Sequence, residues 1–169
     1  MLLVVSCDFD NEKVNTQKDT IVTKGRTFQT DMYPDCWINK FTLQKAVVHT
    51  PPYASRIDPA FPFSYGFCSL VEDISDTIPR TMLVNFWTLF PKTRINARLV
   101  MSIDSASVNK FWTSLPLMDS VKEASVWKQL LCKFELPTAL KRGEKISTYV
   151  YCPDKQEIYI DDLKVIFMN

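Results

Sequence analysis

Apolar and polar residues alternate along much of the chain with a period of two, the pattern of strands that bury one face. The clearest example is residues 145–152, where Ile146, Thr148 and Val150 fall on one side and Tyr149 and Tyr151 fall on the other. We therefore predict a strand whose tyrosines point away from the core.

The same pattern recurs at short intervals and predicts about eight to ten strands in all. The further segments are residues 20–28, 37–50 (one strand, or two broken at Gln44), 61–72, 81–90, 94–103, 108–114, 126–136 and 157–167. Residues 115–124 are the one stretch that predicts a helical turn. Strands and helices do not alternate, which favours an all-β, two-sheet antiparallel sandwich over a parallel α/β fold.

The last two predicted strands flank a turn. Pro153 has no N–H to donate to a ladder, and Asp154 can bond its own backbone, so residues 152–155 are predicted to connect a hairpin. The adjacent acids Asp161 and Asp162 interrupt the return strand, and acids are poor strand formers.

The run YVYCPDKQEIYIDDLKVIF, residues 149–167, resembles the closing hairpin of β-jelly-roll carbohydrate-binding modules, which are galactose-binding-domain-like in fold. A weaker resemblance extends back to about Phe28. It passes through the FWT run at 86–88, the LVMSI run at 99–103 and a strand led by Trp127. The resemblance implies a jelly-roll β-sandwich of the kind found in secreted and surface proteins of bacteria.

In the resembled modules, an acid at the IDD position helps to hold a structural Ca²⁺ with backbone carbonyls and an acid near the first strand. The resemblance therefore implies a calcium site formed by Asp161, Asp162 and Asp31. The alternative is that the paired acids end a β-bulge or accept hydrogen bonds from backbone N–H groups.

Outward aromatic residues predict a glycan site if their strands are neighbours in one concave sheet. Trp87, Tyr149 and Tyr151 would then form a stacking platform for sugar rings. The polar partners predicted from adjacent strands are Arg98, Gln129 and Lys133. The same face would also suit a protein partner, so an adaptor that holds another envelope protein is the alternative function.

Charge and motifs argue against other classes of function. The 20 basic and 19 acidic residues give a net charge of +1 without a basic cluster, which argues against nucleic-acid binding. The single histidine, His49, lies in a proline-containing segment predicted to be an exposed loop, and no serine lies in a G-x-S-x-G elbow. Glu157 and Asp161 would stand about 13 Å apart on one strand, too far for a glycosidase pair. We therefore predict no enzymatic activity.

The first residues, MLLVVSC, resemble the lipobox of a bacterial lipoprotein, in which Cys7 becomes diacylated. The polar residues 8–18 would form a tether, and the jelly-roll domain would span residues 19–169. This predicts an extracytoplasmic protein whose only membrane contact is a lipid anchor, at the outer membrane or cell surface. An ordinary first strand with a buried cysteine is the alternative.

Four further cysteines show no metal-binding spacing. In an exported protein they could form two disulfides, but each lies in or beside an apolar run. We favour free thiols that pack as small apolar side chains; the four are Cys36, Cys68, Cys132 and Cys152.

Overall fold

The computed structural model describes residues 26–30 and 36–169, which form two facing antiparallel sheets. The strands are β1 (Arg26–Gln29), β2 (Trp37–Ile38), β3 (Leu43–Gln44), β4 (Ala54–Ile57), β5 (Gly66–Leu70), β6 (Thr81–Leu89), β7 (Arg98–Ser105), β8 (Val108–Pro116), β9 (Trp127–Glu135), β10 (Lys145–Tyr151) and β11 (Ile158–Met168). The one α-helix in this part of the chain is α1 (Val71–Ile74). No helix among the described residues is long and apolar enough to cross a membrane.

One sheet has five strands in the order β2-β5-β10-β7-β8. The other has six strands in the order β3-β4-β11-β6-β9, with β1 also paired to β11. All of these pairs are antiparallel. The two-sheet antiparallel sandwich predicted from the alternation is confirmed.

The core lies between the sheets and is filled by the inward residues of each alternating strand. Val84 and Phe86 of β6 and Ile146 of β10 are fully buried. Phe28 and Phe67, from opposite sheets, bring their ring centroids within 4.8 Å of each other. Alternation on both inner faces thus produces one continuous apolar core, the main source of folding free energy.

The predicted hairpin between the last two strands is wrong. The turn forms, and the Lys155 N–H donates to the Cys152 carbonyl at 3.0 Å, but β10 and β11 belong to different sheets. Both edges of β10 are already paired, with β5 and with β7. The turn therefore carries the chain from one sheet to the other.

Several element boundaries also differ from the prediction. Residues 37–50 contain two strands, but a 3-10 turn at Lys40–Thr42 separates them instead of a break at Gln44. The strand predicted for 61–72 is shorter and runs over Gly66–Leu70, while β4 begins within the predicted proline loop. The helical turn expected in 115–124 is the 3-10 turn Met118–Ser120. The tether and the start of the domain at residue 19 lie outside the described residues.

Candidate functional site

The sheet order divides the predicted platform into two groups of residues. Trp87 lies on β6, whose neighbours are β11 and β9, whereas Tyr149 and Tyr151 lie on β10, between β5 and β7. Because strands of opposite sheets expose opposite outer faces, Trp87 is on the far side of the sandwich from the two tyrosines. The prediction that they share one platform is wrong.

The polar partners divide in the same way. Arg98 pairs in register with Tyr151 and so belongs to the five-stranded sheet. Gln129 pairs with Trp87, and Lys133 lies further along β9 on the six-stranded sheet. The latter two side chains also bond locally, Gln129 to Asn85 and Lys133 to Glu135.

Four aromatic side chains gather on the outer face of the five-stranded sheet, and we call this set the aromatic face: Phe63, Trp112, Tyr149 and Tyr151. Phe63 stacks on Tyr151 at 4.9 Å between ring centroids and meets Tyr149 edge to face at 5.6 Å. The Trp112 side chain lies beside the Tyr149 hydroxyl. Both stacked and edge-to-face geometries are favourable for aromatic pairs, so Phe63 stabilises the positions of the two tyrosine rings.

The aromatic face remains open to solvent although its rings cover the sheet beneath. Phe63 is 41% exposed and Trp112 is 49% exposed. The outward residues Val100, Ser102 and Ser147 are nevertheless buried, which shows that larger side chains cover them. The rings therefore have faces available to a ligand instead of being absorbed into the core.

Gly66 on β5 lies in very close contact with β10, the strand that carries Tyr149. A Cβ atom at residue 66 would stand 2.5 Å from the Thr148 carbonyl oxygen and 2.7 Å from the Tyr149 Cβ. Such distances are far below van der Waals contact. Only a residue without a Cβ lets β5 approach Tyr149 this closely.

Hydrogen-bonding groups surround the rings. Arg98 donates from Nε to the Ser114 hydroxyl at 2.7 Å, beside the Phe63 and Tyr151 stack. At the other end of β7, Asp104 accepts a bond from Asn109 at 3.0 Å. Burial raises the pKa of the Tyr149 hydroxyl, which is therefore neutral and able to donate or accept a hydrogen bond near pH 7. The face thus combines stacking surfaces with donors and acceptors.

Sequence reasoning missed Phe63 and Trp112. Phe63 falls within the predicted strand 61–72, but in the structure it precedes β5 and reaches Tyr151 through an isolated bridge. Trp112 lies on β8, where its register with Ser102 places it on the outer face. The alternation of Trp112 with Ser114 was a usable signal, whereas the position of Phe63 depends on the tertiary fold.

On the outer face of the six-stranded sheet, the Trp87 ring is covered by His49. The two rings stack with 3.9 Å between centroids, and Trp127 meets His49 edge-on at 5.6 Å. The His49 Nδ1 also lies 2.9 Å from Asp162 Oδ2. A ring that is already stacked on a neighbour offers less surface to a sugar, so this face is the weaker candidate.

Asp161 accepts backbone N–H groups, the role that was the alternative to calcium, whereas Asp162 bonds the side chains of His49 and Thr50. The register of β11 shifts between Asp161 and Lys164, which marks a β-bulge. Asp161 Oδ2 accepts the backbone N–H groups of His49 and Thr50 at 2.8 and 3.0 Å. Asp161 Oδ1 accepts the N–H of Asp162 at 2.8 Å.

These bonds engage the oxygens that a cation would need. Among the described residues, no group of three or more His, Cys, Asp or Glu side chains could hold a metal ion. Asp31, the third predicted ligand, lies outside the described residues. The calcium site therefore stays a prediction.

A cavity of about 300 Å³ lies beside this bulge, away from the aromatic face, and is lined in part by Pro51, Tyr53, Ser55 and Asp161. Its polar lining is largely used within the protein. The Ser55 hydroxyl pairs with Thr42 at 2.8 Å and accepts the Tyr65 N–H at 2.8 Å. The cavity accordingly has few free groups with which to recognise a ligand.

No disulfide joins the four cysteines of the described residues, as the favoured prediction had it. Cys152 is fully buried, and Cys36 and Cys132 pack against the core. Burial raises the pKa of the Cys132 thiol to about 11. The predicted lipidation site, Cys7, lies outside the described residues.

No protein-family model and no curated protein matches this chain. Among solved structures, it is similar to the CBM22-2 xylan-binding domain of Paenibacillus barcinonensis Xyn10C, with a TM-score of 0.53 and 12% identity over 85% of this chain and 99% of that one. It is also similar to the CBM22-1–GH10 modules of Clostridium thermocellum Xyn10B, complexed with xylohexaose. There the TM-score is 0.52 and the identity 11%, over 86% of this chain and 26% of that one.

At these identities the likeness concerns the fold alone. The chain has the jelly-roll β-sandwich fold of carbohydrate-binding modules, and the resemblance of residues 149–167 to such modules is confirmed at that level. Because one scaffold hosts many functions, function has to be argued from the residues of the site.

Proposed function

We propose that this protein is a carbohydrate-binding module that binds glycan on the aromatic face and does not catalyse a reaction on it. The observation that carries the proposal is the group of four neighbouring rings on the outer face of one sheet, in which Phe63 packs on Tyr149 and Tyr151, and Phe63 and Trp112 are 41% and 49% exposed. Pyranose rings present apolar C–H faces that stack on aromatic side chains. Their hydroxyls need donors and acceptors of the kind that Arg98, Ser114 and Asp104 supply.

The small number of acidic residues on the outward side of this sheet supports a non-catalytic role. Among the outward strand residues of the five-stranded sheet in the described chain, Asp104 is the only acid. Glycoside hydrolysis ordinarily needs two carboxyl groups about 5–10 Å apart. The pair considered from the sequence is engaged elsewhere, since Glu157 pairs with Arg56 and Asp161 accepts backbone N–H groups.

A glycan array tests the proposal. The purified protein is expected to bind one class of glycan, and Tyr149→Ala to weaken that binding at least about tenfold, or about 1.4 kcal/mol, because the substitution removes the ring that contacts both Phe63 and Trp112. Gln129→Ala, on the opposite outer face, is the matched control and is expected to bind normally. A folded protein that binds nothing on the array, or an unaffected Tyr149→Ala variant, would refute the proposal.

The alternative function, an adaptor for another envelope protein, is favoured by the edge strand β8. Val108 is 64% exposed and Phe111 is 37% exposed along this edge, next to Trp112. Apolar side chains on an unpaired strand edge suit a protein partner. Stoichiometric recovery of one envelope protein with the native chain, lost on Trp112→Ala and combined with silence on the array, would support the adaptor.

The cellular context remains part of the proposal. We propose a protein anchored outside the cytoplasm through a lipid on Cys7, at the outer membrane or cell surface, and the resemblance of MLLVVSC to a lipobox supports it. Labelling with radioactive palmitate is expected to mark the wild type and not Cys7→Ala. Equal labelling of both would refute the anchor at Cys7.

A further inference from the structure

Arg98 is a cation beside the aromatic face that no carboxylate of the described residues neutralises. It stands in register between Tyr151 of β10 and Pro116 of β8 and is partly buried. The one hydrogen bond of its side chain among the described residues runs from Nε to the uncharged Ser114 hydroxyl, at 2.7 Å. No acid in residues 26–30 and 36–169 forms an ion pair with it.

Two other basic residues of the outer faces, Lys110 and Lys133, are paired with acids. Lys110 lies 2.7 Å from the buried Glu144, and Lys133 lies 2.6 Å from Glu135. The acid of the aromatic face, Asp104, is six residues from Arg98 along β7, or about 20 Å at the usual rise. That distance exceeds the screening length in physiological salt, so Asp104 does not offset the charge of Arg98.

The guanidinium is also held in place. The bond from Nε to Ser114 orients the group and leaves both terminal nitrogens without a partner in the described chain. Two parallel N–H donors in one plane match the two oxygens of a carboxylate, and such pairs are stronger than neutral hydrogen bonds. The cation lies beside the Phe63 and Tyr151 stack, where it can reach a substituent of a sugar bound to those rings.

We infer that the glycan bound by the aromatic face is acidic, a polysaccharide that contains uronic acid, with a sugar carboxylate paired to Arg98. This inference rests on the proposed function and specifies its substrate class. Neutral sugars would leave the terminal nitrogens with hydroxyl or water partners only. A uronate adds a charge-assisted pair at the same place.

The test compares each acidic polymer with its own carboxyl-reduced form. Polygalacturonate, alginate and glucuronoxylan are titrated calorimetrically in both forms against the wild type, Arg98→Gln, Arg98→Lys and Lys133→Gln. The wild type is expected to prefer at least one acidic polymer about tenfold over its reduced form, and the preference to shrink as salt rises from low to high concentration. Arg98→Gln is expected to lose the preference while it still binds the reduced form.

The remaining variants are the controls. Lys133→Gln loses a positive charge on the opposite outer face and is expected to keep the full preference. Arg98→Lys keeps the charge without the planar guanidinium and is expected to keep only part of the preference for acidic polymers. If Arg98→Gln does not fold, Arg98→Lys and the wild-type polymer pairs still decide the question.

The outcomes separate the two claims. Equal binding of acidic and reduced polymers would overturn the uronate inference and leave the proposed function intact. Dextran sulfate is titrated beside these polymers, and a preference for it over the uronic polymers would overturn the carboxylate assignment. Absence of binding to every polymer in both forms, together with a silent glycan array, would overturn the proposed function itself.

Discussion

At the scale of single residues, the alternation of apolar and polar positions reveals only part of a binding site. The period of two correctly placed Tyr149 and Tyr151 away from the core, and Trp87 likewise. It gave no information on which rings would meet, because that depends on strand order. Trp112 alternates with Ser114 along β8, whereas Phe63 became recognisable as part of the aromatic face only once the segment before β5 was in place.

The hydrogen bonds of the Asp161 carboxylate lead to a prediction about stability. Its carboxylate accepts three backbone N–H groups, so Asp161→Asn turns an amide N–H₂ toward a donor and leaves at least one N–H without an acceptor. We expect a loss of about 1–3 kcal/mol in the free energy of unfolding, measured by urea denaturation. Asp119→Asn, at an exposed acid, is the control and should change stability little. Equal stabilities of the two variants would contradict the hydrogen-bonded role.

The buried thiol of Cys132 leads to a prediction about how stability depends on pH. Burial raises the pKa of its thiol from the usual 9.0 to about 11 in the folded protein. Between these values the unfolded chain gives up a proton that the folded chain keeps, so the free energy of unfolding falls as pH rises from 9 to 11. Cys132→Ser removes this titration, and its urea-denaturation curves are expected to show a smaller fall over that range. Identical pH profiles for the two proteins would contradict the burial of this thiol.

At the scale of elements, the close approach of β5 to β10 holds the aromatic face to the core. Gly66→Ala places a methyl group against the Thr148 carbonyl and Tyr149 Cβ, both of which belong to a central strand that has little room to yield. We expect about 1–3 kcal/mol of destabilisation by urea denaturation and weaker glycan binding through a displaced Tyr149. Gly143→Ala, where nothing lies within 4 Å of the added carbon, is the matched control. A Gly66→Ala variant as stable as that control would contradict the described packing.

The long strands could be predicted from the sequence, and their connections could not. Strands β6, β7, β9, β10 and β11 each contain enough alternating residues to show the period. Strands β2 and β3 have two residues each, too few to show any period. Pro153 and Asp154 correctly indicated a turn, but turn chemistry does not determine whether the chain re-enters the same sheet.

For the whole molecule, the sandwich presents two outer faces with different chemistry. The five-stranded sheet carries the aromatic face and Arg98, which forms no ion pair within the described part of the chain. The six-stranded sheet carries His49 stacked on Trp87 and bonded to the bulge at Asp162. The resemblance of residues 149–167 correctly indicated the jelly-roll fold, whereas the sheet order needed to assign residues to faces depends on pairings distant in sequence.

The calcium prediction also belongs to the whole molecule, since its third ligand, Asp31, is distant in sequence from Asp161 and Asp162. Thermal unfolding in Ca²⁺ and in EDTA tests it. Bound calcium should raise the melting temperature of the wild type and not that of Asp31→Ala. Identical melting temperatures in Ca²⁺ and EDTA would leave the two acids with their hydrogen-bonded role alone.

The four tryptophans allow the central claim, that glycan binds on the aromatic face, to be measured directly. Trp112 lies on that face, Trp87 and Trp127 lie on the opposite outer face, and Trp37 is buried. We would follow the four indole N–H signals by two-dimensional NMR while a glycan identified on the array is added. The Trp112 signal is expected to shift with saturation while those of Trp87 and Trp127 stay in place. Shifts at Trp87 and Trp127 with an unchanged Trp112 would place the ligand on the six-stranded sheet and contradict the claim.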